Sequence, residues 1–157
     1  MINKEDKEYI EECIRRVNAE EFDDSLREAA GEELISMIYK IVGDHERINY
    51  NGCIYNMYIN YDSNCGLTVV EANIDFETMA DYLLQNENIN TITLEDAVSI
   101  MNEEFPERNE FCEDLIDENG YTVDKEHILF VLDYLMDEQE NCDEEFRQDL
   151  KDYKNRR

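Results

Sequence analysis

Apolar residues change their spacing twice along this chain, and that double switch constrains the fold more than any other feature. Between Lys4 and Asn18, Ile10, Cys13, Ile14 and Val17 recur at the intervals of an amphipathic helix. Leu26, Ala30, Leu34, Met37, Ile38 and Ile41 predict a second helix, with Ser25 and Glu28 as a capping box and Gly43 just past its end. The interval then drops to two: Cys53, Tyr55, Met57, Ile59 and Tyr61 alternate with Asn56, Tyr58 and Asn60, which is the period of a strand. Asn51-Gly52 before this run is a strong hairpin signal, and Asp62 to Gly66 offers a second turn into Leu67 to Ile74. Two such turns imply a three-stranded antiparallel meander.

After Asp75 the helical interval returns. Met79, Tyr82 and Leu83 mark one helix, and Ala97, Val98, Met101 and Phe105 another, with Thr93 as N-cap and Pro106 as a breaker. Phe111, Leu115 and Ile116 predict a short helix stopped by Asn119-Gly120. Asp124 is placed to cap the most apolar helix, with Ile128, Leu129, Val131, Leu132, Leu135 and Met136 facing inward; Phe146, Leu150 and Tyr153 line a last one. The expected fold is α+β: two N-terminal helices, the meander, then four to five helices packed on the sheet. A chain of 157 residues can bury enough surface in one core to fold unaided, so a single compact domain over 1–157 is expected, ending in a short basic tail at 151–157.

Charge narrows the function. The chain carries 41 Asp and Glu against 14 Lys and Arg, a formal net of −27, whereas a magnitude of about 2 to 8 satisfies the solubility of a small domain. The excess adds self-repulsion, which a partner of opposite sign would relieve. No Lys or Arg occurs between Arg47 and Arg108, and from Glu103 to Asp149 there are 18 acids against Arg108, Lys125 and Arg147. With 10 Tyr and 6 Phe, the composition still belongs to a folded protein rather than a disordered polyanion. Direct binding to nucleic acid is disfavoured, because that affinity comes largely from cationic side chains on phosphates. Anionic headgroups repel such a surface, and the longest apolar run is too short to span a bilayer. The five cysteines, Cys13, Cys53, Cys65, Cys112 and Cys142, form no CxxC pair and follow no secretory leader, so a cytoplasmic location is expected, that of a host cell if a phage encodes the chain.

Chemistry-bearing motifs are few. Asp117, Asn119, Gly120 and Glu126 reproduce the later part of an EF-hand loop, but Leu115 stands where the first oxygen ligand is required, which favours a plain turn. His45 and His127 lack neighbours at metal-ligand spacing. No Gly-rich phosphate loop, GxSxG or HExxH occurs, so neither enzyme activity, cofactor nor resident metal is expected. Asp133, Asp137, Glu140 and Glu144 are spaced by four, three and four. If one helix continues through Cys142, they share a face with a spacing close to that of strand phosphates. Glu126, Asp143, Asp117 and Glu118 extend this acidic field. Tyr58 and Tyr61, on an Asn/Tyr-rich sheet face, are candidate interface anchors.

In size, charge and lack of catalytic motifs, the chain resembles the phage-encoded DNA mimics, the anti-restriction and anti-CRISPR inhibitors of host defence nucleases. The resemblance is compositional and assigns no residue roles. It implies an acidic cytoplasmic inhibitor of a basic nucleic-acid-binding protein. An immunity protein or antitoxin against a basic nuclease toxin rests on the same complementarity, and an adaptor using the Asn/Tyr sheet face, with homodimer formation as one outcome, is the third reading.

Overall fold

The computed structural model describes residues 2–19, 21, 23–63, 66–105, 109–117 and 122–156. In chain order the elements are α1 (Lys4–Asn18), α2 (Asp24–Val42), β1 (Glu46–Tyr50), β2 (Ile54–Asp62), β3 (Gly66–Ile74), α3 (Phe76–Asn86), α4 (Leu94–Glu104), β4 (Asn109–Asp114), α5 (Lys125–Met136) and α6 (Asp143–Arg156). This is an α+β fold, with six helices and a four-stranded antiparallel sheet in the order β1-β2-β3-β4 among the described residues.

Helix starts follow capping chemistry. The side chains of Asn3, Asp23, Asp75, Thr93 and Asp124 accept the backbone N–H three residues on, at 2.8 to 3.2 Å, satisfying donors that a first turn leaves open. Thr93 and Asp124 hold the capping places expected of them, whereas the cap of α2 is Asp23 rather than Ser25. A carboxylate at this position also faces the positive end of the helix dipole. Gly43 closes α2 with φ +50, its N–H donating to the Tyr39 carbonyl, and Gly52 takes φ +92 in the β1–β2 turn. That left-handed region carries no steric penalty for glycine.

The expected short helix at Phe111 to Ile116 is instead an edge strand. Its residues pair with β3: the Leu115 N–H donates to the Leu67 carbonyl at 3.0 Å, and Thr68 Oγ1 donates to Asp114 Oδ1 at 2.9 Å. Phe111 stays 62% exposed while Leu115 and Ile116 are buried, so this run is anchored by its end and by backbone pairing. Four apolar residues in six positions, Phe111, Cys112, Leu115 and Ile116, mark neither period clearly, and pairing with β3 decides between them.

The chain divides into two compact units, each assembled from three stretches. The first comprises Met1–Glu46, Tyr58–Val70 and Cys112–Glu138; the second comprises Arg47–Met57, Glu71–Phe111 and Gln139–Arg157. In the first unit α1, α2 and α5 pack on one another through Ile10, Ile14, Val17, Leu34, Ile38, Ile128 and Leu132, all buried. Asn18 fastens this unit to the approach of α5, its amide donating to the Val123 carbonyl at 2.9 Å while its Oδ1 accepts the Val123 N–H at 3.1 Å.

In the second unit Ile48, Tyr50, Ile54 and Ile74 from the strands meet Met79, Leu83, Leu94, Val98 and Met101 from α3 and α4, and Phe146 and Leu150 from α6. The Tyr50 hydroxyl donates to Asp149, and burial, followed by that carboxylate, pushes the Tyr50 phenol well above its ordinary value. A raised native pKa means the folded protein keeps a proton that the unfolded chain releases from about pH 10 upward, so this contribution is present below pH 10 and fades above it. Tyr50→Phe removes the hydroxyl's bond to Asp149 and is expected to be less stable than the parent at neutral pH. The gap should narrow as the pH rises, by about 1 kcal/mol between pH 10 and 11. Denaturant titrations at the two pH values check this, and a constant gap would mean that Tyr50 ionises as freely folded as unfolded.

Candidate partner-binding surface

The row Asp133, Asp137, Glu140 and Glu144 does not lie on one helix. The Asp137 N–H closes the last turn of α5 onto the Asp133 carbonyl at 2.9 Å, the Asp137 backbone then becomes extended at ψ 151, and α6 starts only at Asp143. Between them runs a polar stretch without an inward-facing aliphatic. Asn141 Oδ1 accepts the Asp143 N–H at 3.1 Å, which starts a new helix instead of extending the old one. Asp133 and Asp137 fall in the first unit, Glu140 and Glu144 in the second. Asp143 serves another purpose as well: its Oδ1 accepts the Leu94 N–H at 3.0 Å, holding the first turn of α4.

What remains together is a shorter face on α5. Glu126 stands exposed in the first turn, Phe130 is 64% exposed, Asp133 and Tyr134 are half-buried, and Asp137 is exposed at the C-cap. Intervals of four, three, one and three place these five on one side of the helix. The opposite side, Ile128, Val131, Leu132 and Leu135, is buried. The rings of Phe130 and Tyr134 run nearly parallel, 19° between planes and 6.3 Å between centroids.

A second acidic surface, not singled out from sequence, belongs to α3 and α4. Asp75, Glu77, Glu87, Glu95, Asp96, Glu103 and Glu104 are exposed there, and neither helix contains a Lys or Arg. Tyr82 meets Phe105 edge to face with centroids 5.4 Å apart. Partial burial, then the charges of Glu104, Glu87 and Glu103, push the Tyr82 phenol up. The cation-free stretch between Arg47 and Arg108 was the available signal.

Several arginines, meanwhile, are turned toward the protein. Arg16 reaches Glu33 at 3.3 Å and Glu12 at 3.9 Å, between α1 and α2. Arg27 Nε donates to the Ala19 carbonyl at 2.9 Å, and Arg147 Nε to the Ile92 carbonyl at 2.7 Å. The basic tail is the end of α6, where Lys154 and Arg156 complement the negative end of a helix that begins with Asp143, Glu144 and Glu145.

The remaining candidates separate. Tyr58 and Tyr61 are three apart on β2 and so point to opposite faces, Tyr58 half-buried and Tyr61 beside Tyr39 with ring centroids 5.9 Å apart. Asn56, which alternates with the apolar residues of β2 in the sequence, is 1% exposed. The Asn/Tyr run is thus not one open surface. Asp117 lines a cavity of about 380 Å³ with Glu113, Asp114, Leu115, Thr122, Asp124 and His127. His127 Nε2 lies 3.3 Å from Glu113 Oε2, within ion-pair reach but outside hydrogen-bond geometry. Among the described residues no set of three or more His, Cys, Asp or Glu is arranged to hold a metal ion. Glu118, and Asn119 and Gly120 of the EF-hand-like run, lie outside the described residues.

Cys13, Cys53, Cys112 and Cys142 are free thiols, and burial pushes Cys13 and Cys142 up, which opposes thiolate formation. No helix among the described residues is long and apolar enough to cross a membrane. Comparison with protein-family models, curated proteins and solved structures finds no match.

Proposed function

We propose that this protein acts by binding: it docks on a basic nucleic-acid-handling protein and occupies a surface that would otherwise hold phosphates, as an inhibitor of the DNA-mimic kind represented by phage anti-CRISPR and anti-restriction proteins. The observation that carries the reading is the division of labour among charges. Exposed carboxylates stand on α3, on α4 and, as Glu126 and Asp137, at the two ends of α5, while Arg16, Arg27 and Arg147 reach carboxylates and carbonyls of the protein itself. A groove shaped for nucleic acid concentrates positive potential, so a compact polyanion reaches it quickly and competes for the same side chains. A basic nuclease toxin would be neutralised by the same physics. The proposed setting is the cytoplasm, and the proposed mode needs no cofactor.

The test is a tagged pull-down from nuclease-treated cytoplasm, washed at low salt, eluted in salt steps and followed by titration of the recovered partner. Association is expected to weaken at least about tenfold between low and high salt, since exposed charge contacts are screened, and duplex DNA is expected to displace the protein. An affinity indifferent to both salt and DNA would overturn the reading.

A further inference from the structure

We infer that the Phe130–Tyr134 pair on α5 is a docking point for an arginine side chain of a basic protein. The inference rests on the charge-complementarity reading above and names the chemistry recognised at one part of that surface. Phe130 is the most exposed large apolar side chain among the described residues, at 64%. It sits on the side of α5 opposite the buried Ile128, Val131, Leu132 and Leu135, beside the ring of Tyr134.

Carboxylates bracket the rings. Glu126 lies one turn before Phe130, Asp133 about one turn after it, and Asp137 about two. The two ring planes are nearly parallel, and a cation over the face of an aromatic ring is attracted by its quadrupole while neighbouring acids offset its charge. A guanidinium meets both demands at once, because it stacks flat on an aromatic face and presents a fork of N–H donors to carboxylate oxygens. An ammonium is a compact, strongly hydrated point charge that does neither as well.

Charge selects among occupants. A second copy would bring −27 against −27, and an anionic lipid surface would meet the same repulsion. A basic protein gains where those two lose. Aromatic residues are also typical energetic anchors of interfaces, with charged residues around them setting orientation.

The experiment uses the full chain and two synthetic peptides of equal length and charge, one alternating Gly and Arg, the other Gly and Lys. Binding is measured by calorimetry at low salt, and melting temperatures confirm that each variant is folded. The Arg peptide is expected to bind at least about fivefold more tightly than the Lys peptide. Phe130→Ala, which leaves the net charge untouched, should abolish that preference, and Phe130→Tyr should keep it. Equal binding of both peptides to the parent, or a preference that survives in Phe130→Ala, overturns the inference while the charge reading stands. No binding of either peptide overturns both.

Discussion

Phe146→Ala is expected to destabilise the protein by about 3–5 kcal/mol, the range for removing a buried aromatic ring that its surroundings cannot fully replace. Phe146 is fully buried in the core of the second unit and packs edge-on against Tyr50, with centroids 5.4 Å apart and 69° between planes. Both of its neighbours along α6 argue against collapse into the space. Arg147 is committed to the Ile92 carbonyl, and Asp149 accepts the Tyr50 hydroxyl, so the helix cannot slide inward without giving up both bonds. For a chain of this length the loss corresponds to a fall in melting temperature of roughly 10 °C. Leu26→Ala is the matched control, because Leu26 is 54% exposed despite lying on the apolar stripe read from the sequence of α2. Thermal melts of the two variants decide the matter. A Phe146→Ala protein melting within a few degrees of the parent would show that the core refills the space.

Reversing Glu126, Asp133 and Asp137 together to Lys is expected to weaken association with the recovered partner by about 100-fold or more. Each change removes an attraction and places like charges opposite one another, an arrangement that costs several kcal/mol when desolvated. The control reverses Glu5, Glu28 and Glu32, exposed carboxylates on α1 and α2. Both triples move the formal net charge from −27 to −21. They therefore share any effect of overall charge and differ only in place. If the α5 face is the docking surface, the control should lose far less, and mainly in association rate. Equal losses would mean that total charge matters and this face does not.

The legible parts of the fold were those in which local chemistry and tertiary packing agree. The Asp124 cap and the four deeply buried positions of α5 could be read directly, since a side-chain acceptor and a 3.6-residue stripe occur together there. The Asn51-Gly52 turn was equally plain. Phe111 to Ile116 was not, because a short apolar run carries no decisive period and its partner, β3, is about 40 residues away in sequence. The broken acidic row failed for a related reason. Spacing locates carboxylates along a helix, but whether the helix persists between Asp137 and Asp143 depends on caps and on what lies beneath, and Glu138 to Asn141 are all polar. Phe130 escaped attention as one more apolar residue in an apolar helix. Its exposure follows from angular position, and Glu126, four residues earlier, was the clue available.

The interleaving of the two units bears on how this protein comes into being on the ribosome. Each unit is assembled from three separated stretches, so neither can close around its core before its third, Cys112–Glu138 or Gln139–Arg157, has been made. Asn18 waits for Val123, and Tyr50 waits for Phe146 and Asp149. Until then the apolar faces of α1 and α2 lack the partners that α5 brings in the folded protein. Repulsion between like charges acts on the unfinished polypeptide as it does on the folded one, so it opposes association between chains before either core is closed.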